Sequence, residues 1–291
     1  MSRPRVGVAV LTMGTRPAEL RALLDSVVKQ QEPAAQVVVV GNGSVLPELP
    51  EGVIGVELEE NLGVAGGRNV ALARLRTAGG VDILVDLDDD GLLIEADVFT
   101  RIADLFTADP RLGIVSFRIA DETGFTQRRH VPRLRAGDPM QRGLVTTFLG
   151  GGHGISMRML DEIGDWPDDF FFTHEETDLA WRALDADWKI LYEPALVLQH
   201  PRTSPARHAN FYRLTARNRV WMARRHLPAL LVPVYLGTWI ALTVARTRSL
   251  PGLRAWFGGF AEGVRRPCGV RRPMRWRTVW RMTRLGRPPV V

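Results

Sequence analysis

Asp82-Ile83-Leu84-Val85-Asp86-Leu87-Asp88-Asp89-Asp90-Gly91 is an apolar run that ends on three consecutive carboxylates. Residues 82–87 have the length and branched side chains of a buried strand. The same alternation extends on both sides. Residues 6–11 and 36–40 read as strands, and 17–30 as a helix with proline in its first turn. Residues 66–76 and 95–107 read as helices, and 113–118 as a further strand. Strands alternating with helices predict an α/β fold, with a mostly parallel sheet flanked by helices. Ligands of such sheets bind beyond the carboxyl ends of the strands. The aspartates and the turn Gly41-Asn42-Gly43-Ser44 fall there.

Composition sets the outer limits. Of 291 residues, 45% are hydrophobic, enough for a sizeable core, which excludes a disordered chain. The single cysteine, Cys268, excludes an intramolecular disulfide and suits a reducing, cytoplasmic compartment. The first apolar run, 6–13, is short and contains Gly7, so it reads as a strand and not a signal peptide. Charge is divided along the chain. Through Pro201 there are 19 Lys and Arg against 31 Asp and Glu, and beyond it 19 basic residues against one acid, Glu262. Such a division predicts different partners for the two portions.

Three adjacent carboxylates repel one another and need compensation unless fully solvated. A divalent cation that prefers oxygen, Mg²⁺ or Mn²⁺, would supply it and bridge to phosphate. A polar turn with an aspartate cap fits the same residues. Residues 61–69, Asn61-Leu62-Gly63-Val64-Ala65-Gly66-Gly67-Arg68-Asn69, place glycines where a helix begins. They read either as an approach for an anion to helix amides or as a helix-packing turn. The Gly-x-Gly-x-x-Gly dinucleotide spacing is absent after the first strand.

Taken in order, the segments resemble family 2 glycosyltransferases. They are Val8 to Thr12 with Arg16, Val38-Val39-Val40-Gly41-Asn42-Gly43-Ser44, Asn61 to Asn69, and Leu87-Asp88-Asp89-Asp90. Gly150-Gly151-Gly152, Ile163-Gly164, Phe170-Phe171-Phe172 and Glu175-Glu176-Thr177-Asp178-Leu179 with Arg182 follow. Trp188-Lys189-Ile190, Tyr192-Glu193-Pro194 and His200 complete the series. The resemblance spans about residues 5–202. It is similar to enzymes of bacterial cell-surface and lipid-linked saccharides, rhamnosyl- and galactofuranosyltransferases among them.

The resemblance implies a GT-A catalytic domain over 1–204, with a Rossmann-like donor half to about 118 and an acceptor half over 119–204. It implies transfer from a nucleoside-diphosphate sugar to a saccharide or lipid-linked saccharide hydroxyl, with inversion. Asp88 and Asp90 match the ends of the family's Asp-x-Asp motif, which makes Asp90 a metal ligand and Asp88 a contact to ribose or metal. His200 matches a histidine that completes the metal site in some relatives; its other reading is an exposed histidine beside Pro201. Thr12, Arg16, Asn42, Arg68 and Asp89 fall at the donor nucleotide. The family's usual Asp before Asn-Gly-Ser is Gly41 here, and the loop 12–16 is one residue longer, so no nucleobase is named.

Inverting transfer needs a base opposite the leaving group, and a carboxylate suffices. Glu176 matches the family's base, usually Asp, with Glu175 in reserve. Both open a helix, whose dipole favours the ionised form. Helix-end stabilisation alone explains an acidic first turn equally well. Asp178 and Arg182, four apart, form a same-face ion pair. His174-Glu175 lacks a second histidine at 178, which excludes a zinc-hydrolase motif.

Residues 120–145 read as a long mobile loop, and 205–291 as a basic, helical extension. Its stretch 227–245 holds 19 uncharged residues, roughly 28 Å as a helix. That allows a membrane span, an interfacial segment or helices packed on the catalytic domain. Trp256, Phe257, Trp276 and Trp280 among arginines suit an anionic membrane surface at the cytoplasmic face. No nucleic-acid fold precedes them, which weighs against a nucleic-acid partner. A sugar nucleotidyltransferase, or a catalytically silent sugar-nucleotide or membrane-binding module, are the competing functions.

Overall fold

The computed structural model describes residues 3–135, 137–202 and 209–290. Strands β1 (Val6–Thr12), β2 (Gln36–Gly41), β3 (Val53–Glu57) and β4 (Ile83–Asp88) run parallel in the order β3-β2-β1-β4. The sheet continues through β5 (Leu92–Leu93), β6 (Leu112–Ala120), β7 (Gly143–Leu144), β8 (Gly152–Ser156) and β9 (Lys189–Gln199). Beyond β4 its order is β8-β6-β9-β5, with β7 also on β9, and β8 lies antiparallel between β4 and β6.

Side chains alternate across the first strands as the pleat requires. Ala9, Val38, Val40 and Leu84 pack with Ala71, Leu72 and Leu75 of α2 (Gly63–Ala78). Val8, Val10, Val39 and Val85 face Leu20, Leu23 and Leu24 of α1 (Pro17–Val28) and Phe99 and Ile102 of α3 (Val98–Ala108). Both faces are therefore covered, which is why the strands read as continuous apolar runs. The chain has the expected mixed α/β architecture.

Several elements depart from the sequence reading. β3 lies at the sheet edge, is only partly buried and contains Gly55, so it carried no periodic signal. β8 is built from Gly152-His153-Gly154-Ile155-Ser156, a poor strand composition overridden by its central position. β9 continues through Pro194, a residue that commonly ends a strand. The pairing steps from Phe117–Glu193 to Arg118–Val197, so Pro194 sits in a bulge where its missing N–H is tolerated. The segment 120–145 is anchored in part: Tyr192 Oη donates to Pro139 O at 2.8 Å, and Arg142 pairs with Glu193 at 2.5 Å.

After α4 (Met157–Ile163) and α5 (Glu175–Asp185), the last four helices are α6 (Ala209–His226), α7 (Leu231–Arg246), α8 (Leu250–Arg265) and α9 (Trp276–Arg284). The boundary expected at 204/205 lies outside the described residues. Among the described residues no helix is long and apolar enough to cross a membrane. Residues 227–230 turn before α7, and its 16 residues reach only about 24 Å. Trp221, Met222, Leu227, Met274 and Met282 join Phe170, Trp181 and Leu184 in one core. Of the stretch 227–245, Leu227 and Tyr235 are buried in this core, so it packs there in part.

The divided charge is partly consumed inside the molecule. Arg225 pairs with Asp169, Arg275 with Asp185 at 3.4 Å, Arg277 with Asp187 at 2.5 Å, and His226 with Asp178 at 2.6 Å. The acidic portion is itself a partner of the basic one. Asp178 also accepts from Arg182 Nε at 2.7 Å, the expected i,i+4 pair. Burial alone would raise the Asp178 carboxyl, but His226 and Arg182 hold it well below its ordinary value.

α8 crosses α6 closely, because a Cβ on Gly259 would collide with the Arg213 carbonyl oxygen. Gly258, one residue earlier, faces open space. Gly259→Val is expected to cost at least about 3 kcal/mol by overpacking. Gly258→Ala should be neutral or stabilising by up to about 1 kcal/mol. Urea unfolding of both variants measures the contrast; equal stabilities would contradict the close crossing.

Candidate active site

Parallel register brings three strand ends together. Thr12 lies opposite Gly41, and Leu11 opposite Asp88, so β1, β2 and β4 finish on one edge. Thr12 Oγ1 donates to Asp89 Oδ2 at 2.6 Å, and Arg16 pairs with Asp89 at 3.4 Å and with Asp90. His200 arrives from the end of β9, fixed by its N–H to Ala120 O at 2.8 Å. Its Nε2 lies 3.1 Å from Asp90 Oδ1 and 3.9 Å from Asp88 Oδ2. The hydrogen bond that His200 Nε2 donates to Asp90 raises the imidazole pKa above its ordinary value.

One ligand atom each from Asp88, Asp90 and His200 lies within 4.8 Å of the others. Two carboxylates and an imidazole, with Asp88 at the wall of a cavity, form a donor set suited to a divalent ion. Asp90 is 7% exposed and His200 half-buried, which sets the cluster apart from a solvated acidic turn. The cavity has a volume of about 810 Å³ and is lined by Thr12, Arg16, Asn42, Arg68, Asp88 and Asp89, among others.

The structure gives several of these residues work the sequence did not show. Asn42 Oδ1 accepts from Leu62 N at 2.8 Å, and its Nδ2 donates to Asn61 Oδ1 and Gly63 O, both at 3.0 Å. Its amide holds the approach to α2. A Cβ on Gly41 would strike Ser44 O, so no side chain fits there without moving the turn. The α2 glycines pack: a Cβ on Gly63 would meet Phe171 O, and one on Gly67 would meet Leu11. Val64 N–H is already donated to Phe171 O at 2.6 Å. Of the two readings of 61–69, the packing turn is the one seen.

Arg68 is buried, 5% exposed. Its Nε lies 3.3 Å from Asp86 Oδ2, its Nη1 3.4 Å from Glu176 Oε1, and its Nη2 donates to Gly150 O at 2.7 Å. The guanidinium also stacks 4.8 Å over Trp166. It therefore joins the aspartate strand to Glu176. Glu176 is partly open, its side chain 20% exposed. Glu175 is 2% exposed, and its Oε2 has no partner. Burial and the neighbouring Glu176 push Glu175 up to about 8. The helix dipole, worth about 0.3–1 kcal/mol, does not offset that desolvation. Glu175 is thus enclosed, whereas Glu176 keeps some exposure.

The loop that leads to these glutamates is strained. Phe171, Thr173 and His174 have φ of 63°, 71° and 69°, unfavourable for side chains with a Cβ and most of all for β-branched Thr. Fully buried Asn218 of α6 holds it, donating to Phe170 O at 3.0 Å and to Phe172 O and Thr173 O at 2.9 Å. Arg217 adds bonds to Asp169 O and Phe170 O at 3.1 and 2.9 Å. Asp86, Trp166, Arg217 and Asn218 were not singled out from sequence. Only the run Arg217-Asn218-Arg219 inside an otherwise amphipathic helix hinted at polar groups needing buried partners.

The family model described as Glycosyl transferase family 2 matches residues 8–164, more than half of the chain. The chain belongs to this family. The structure of this glycosyltransferase is similar to that of the mannosyltransferase PcManGT from Pyrobaculum calidifontis, in complex with GDP-Man and Mn²⁺. There the TM-score is 0.58 at 21% identity, covering 98% of this chain and 85% of the other. GalNAc-T7 with UDP, GalNAc and Mn²⁺ gives a TM-score of 0.65 at 14% identity, over 90% of this chain and 54% of the other. S. aureus TarS 1-349 gives 0.59 at 16% identity, over 90% and 81%. At such identities the likeness establishes the fold. No curated protein gives a significant sequence match.

Arg68→Met would leave Asp86 and Glu176 without their shared cation. Loss of one partner from a buried ion pair costs about 3–5 kcal/mol. The glycosyltransferase variant should unfold at correspondingly lower denaturant, and an unchanged midpoint would show that Arg68 is not the bridge.

Proposed function

We propose that this glycosyltransferase moves a sugar from a nucleoside-diphosphate sugar to a hydroxyl of a saccharide or lipid-linked saccharide, with inversion and with dependence on Mg²⁺ or Mn²⁺. The observation that carries the reading is the glycyl pair Gly150-Gly151. A Cβ on Gly150 would strike Glu176 Oε1, and one on Gly151 would lie 2.9 Å from Asp88 Oδ2. Glu176, a proton acceptor, and Asp88 of the acidic cluster thus lie against neighbouring residues of one glycyl pair, and Asp88 lines the cavity. The complexes of PcManGT with GDP-Man and Mn²⁺, and of GalNAc-T7 with UDP, GalNAc and Mn²⁺, support the same reading.

In this proposal Asp90, Asp88 and His200 would hold the divalent ion, which supplies charge neutralisation for a leaving diphosphate. Thr12, Arg16 and Asp89 line the donor side, while Asn42 and Arg68 shape it through the bonds described. Glu176 takes the proton from the acceptor hydroxyl as its oxygen attacks the anomeric carbon. Arg68 fixes where that carboxylate stands. Glu175, enclosed, supports the helix start. Residues 1–118 serve the donor and 119–204 the acceptor.

Glu176→Gln should lose transfer by at least about 100-fold, the usual worth of a general base. Donor binding by calorimetry should persist. Gly150→Ala, which displaces Glu176, should reproduce the defect with little change in thermal midpoint. Asp90→Ala should abolish Mn²⁺-dependent stabilisation by a panel of nucleotide sugars. Full activity of Glu176→Gln, or a product that keeps the donor's anomeric configuration, would overturn the mechanism.

The acceptor side extends to a membrane surface in the same proposal. Leu230, Val234, Val244, Leu250 and Phe257 are exposed on and around α7 and α8, between exposed Arg246, Arg248 and Arg254. Apolar side chains beside arginines suit the interface of an anionic bilayer. Trp276 and Trp280 are also exposed, at 49% and 62%, whereas Trp256 is buried and takes no part. Co-sedimentation with phosphatidylglycerol vesicles should exceed that with phosphatidylcholine vesicles and fall in Val234→Asp/Phe257→Asp. Equal binding to both lipids, or tighter binding to single-stranded DNA, would refute it.

A further inference from the structure

A second, smaller cavity of about 60 Å³ is lined by His174 and shares no lining residue with the donor cavity. Thr146, His174, Arg219, Tyr235, Trp239 and Arg287 contribute its polar wall, and no carboxylate among the described residues lines it. The polar groups there are donors in excess. Thr146 Oγ1, His174 Nε2 and Trp239 Nε1 are buried without a hydrogen-bond partner, and Thr146 is 2% exposed. Arg219 lies 3.2 Å over the Trp239 ring, and the Tyr235 hydroxyl near Arg219 and Arg287 is pushed above its ordinary value by burial, so it carries no charge to offset them. Burial and the field of the two guanidiniums push His174 well below its ordinary value. It is therefore neutral and able to donate through Nε2.

Two cations and three idle donors without an acid are costly unless an anion offsets them. A phosphate group carries the charge and the several acceptor oxygens that such a wall lacks. We propose that the cavity bounded by Thr146, His174, Arg219, Trp239 and Arg287 is an oxyanion subsite that takes a phosphate group, separate from the donor's diphosphate. His174 directly precedes Glu175 and Glu176. A phosphate held there stands within one helical turn of the carboxylate assigned as base. The subsite itself stands on the cavity's chemistry; its part in acceptor recognition rests on the proposed function.

Calorimetric titration of inorganic phosphate into the full chain tests the subsite, with the donor cavity first saturated by Mn²⁺ and the nucleoside diphosphate that binds best. Saturable binding is expected, weakened at least ten-fold by Arg287→Gln and by the near-isosteric Thr146→Val. Nucleoside-diphosphate affinity should stay unchanged in both variants. Octyl phosphate separates the sources: tighter binding than inorganic phosphate assigns a phosphate ester, and exclusion of it assigns the free ion. No saturable binding, competition with the nucleotide, or equal affinity in both variants would overturn the subsite. Phosphate binding that responds to the variants in a chain that binds no nucleotide would instead sink the proposed function and leave the subsite standing.

Discussion

A single buried guanidinium organises this glycosyltransferase. Arg68 lies between Asp86 at the centre of β4 and Glu176 at the start of α5, and its remaining nitrogen is taken by Gly150 O. A buried charge must be paired and hydrogen-bonded, so its partners are not free to drift. The consequence is geometric: the strand that ends in the aspartates and the helix that begins with the glutamates share one counter-ion. Glu175, one residue from Glu176, makes no such ion pair, and burial pushes its carboxyl up to about 8. Of two adjacent identical residues, only Glu176 stands within ion-pair distance of the cation.

The second constraint comes from the end of the chain. Left-handed backbone at Phe171, Thr173 and His174 costs of order 1–3 kcal/mol per residue and persists only where its surroundings enforce it. Asn218 supplies that enforcement with three bonds from one amide. The helix that carries it is docked by pairs between basic and acidic portions, such as Arg225–Asp169 and His226–Asp178. The uneven charge seen along the sequence is therefore in part an instruction for assembly. What looked like an appendage shapes the wall of the donor cavity.

Much of this was legible in the sequence. The buried strands β1, β2 and β4 carry continuous apolar runs, and the order of motifs from Thr12 to His200 pointed to the fold and family. The convergence of Asp88, Asp90 and His200 followed from strand order once β9 was known to pass Pro194. Other features were hidden for physical reasons. β8 is glycine-rich because Ile102 and Leu198 press against it, so its composition resembles a turn. Asn42 and Arg68 look like ligand contacts by type, but their hydrogen bonds are largely spent on the protein itself. Asn218 sits in a helix whose meaning lies in a loop more than 40 residues earlier, a relation that no local pattern records.

Position 41 has a consequence of another kind. With Ser44 O occupying the space where a side chain would begin, position 41 offers only main chain beside Asn42, which lines the donor cavity. Amide and carbonyl groups distinguish bases by edge shape and spacing, not by a charge that one substitution could swap. Donor preference along this edge would therefore be inherited with the path of the chain, and altering it would mean redrawing the turn.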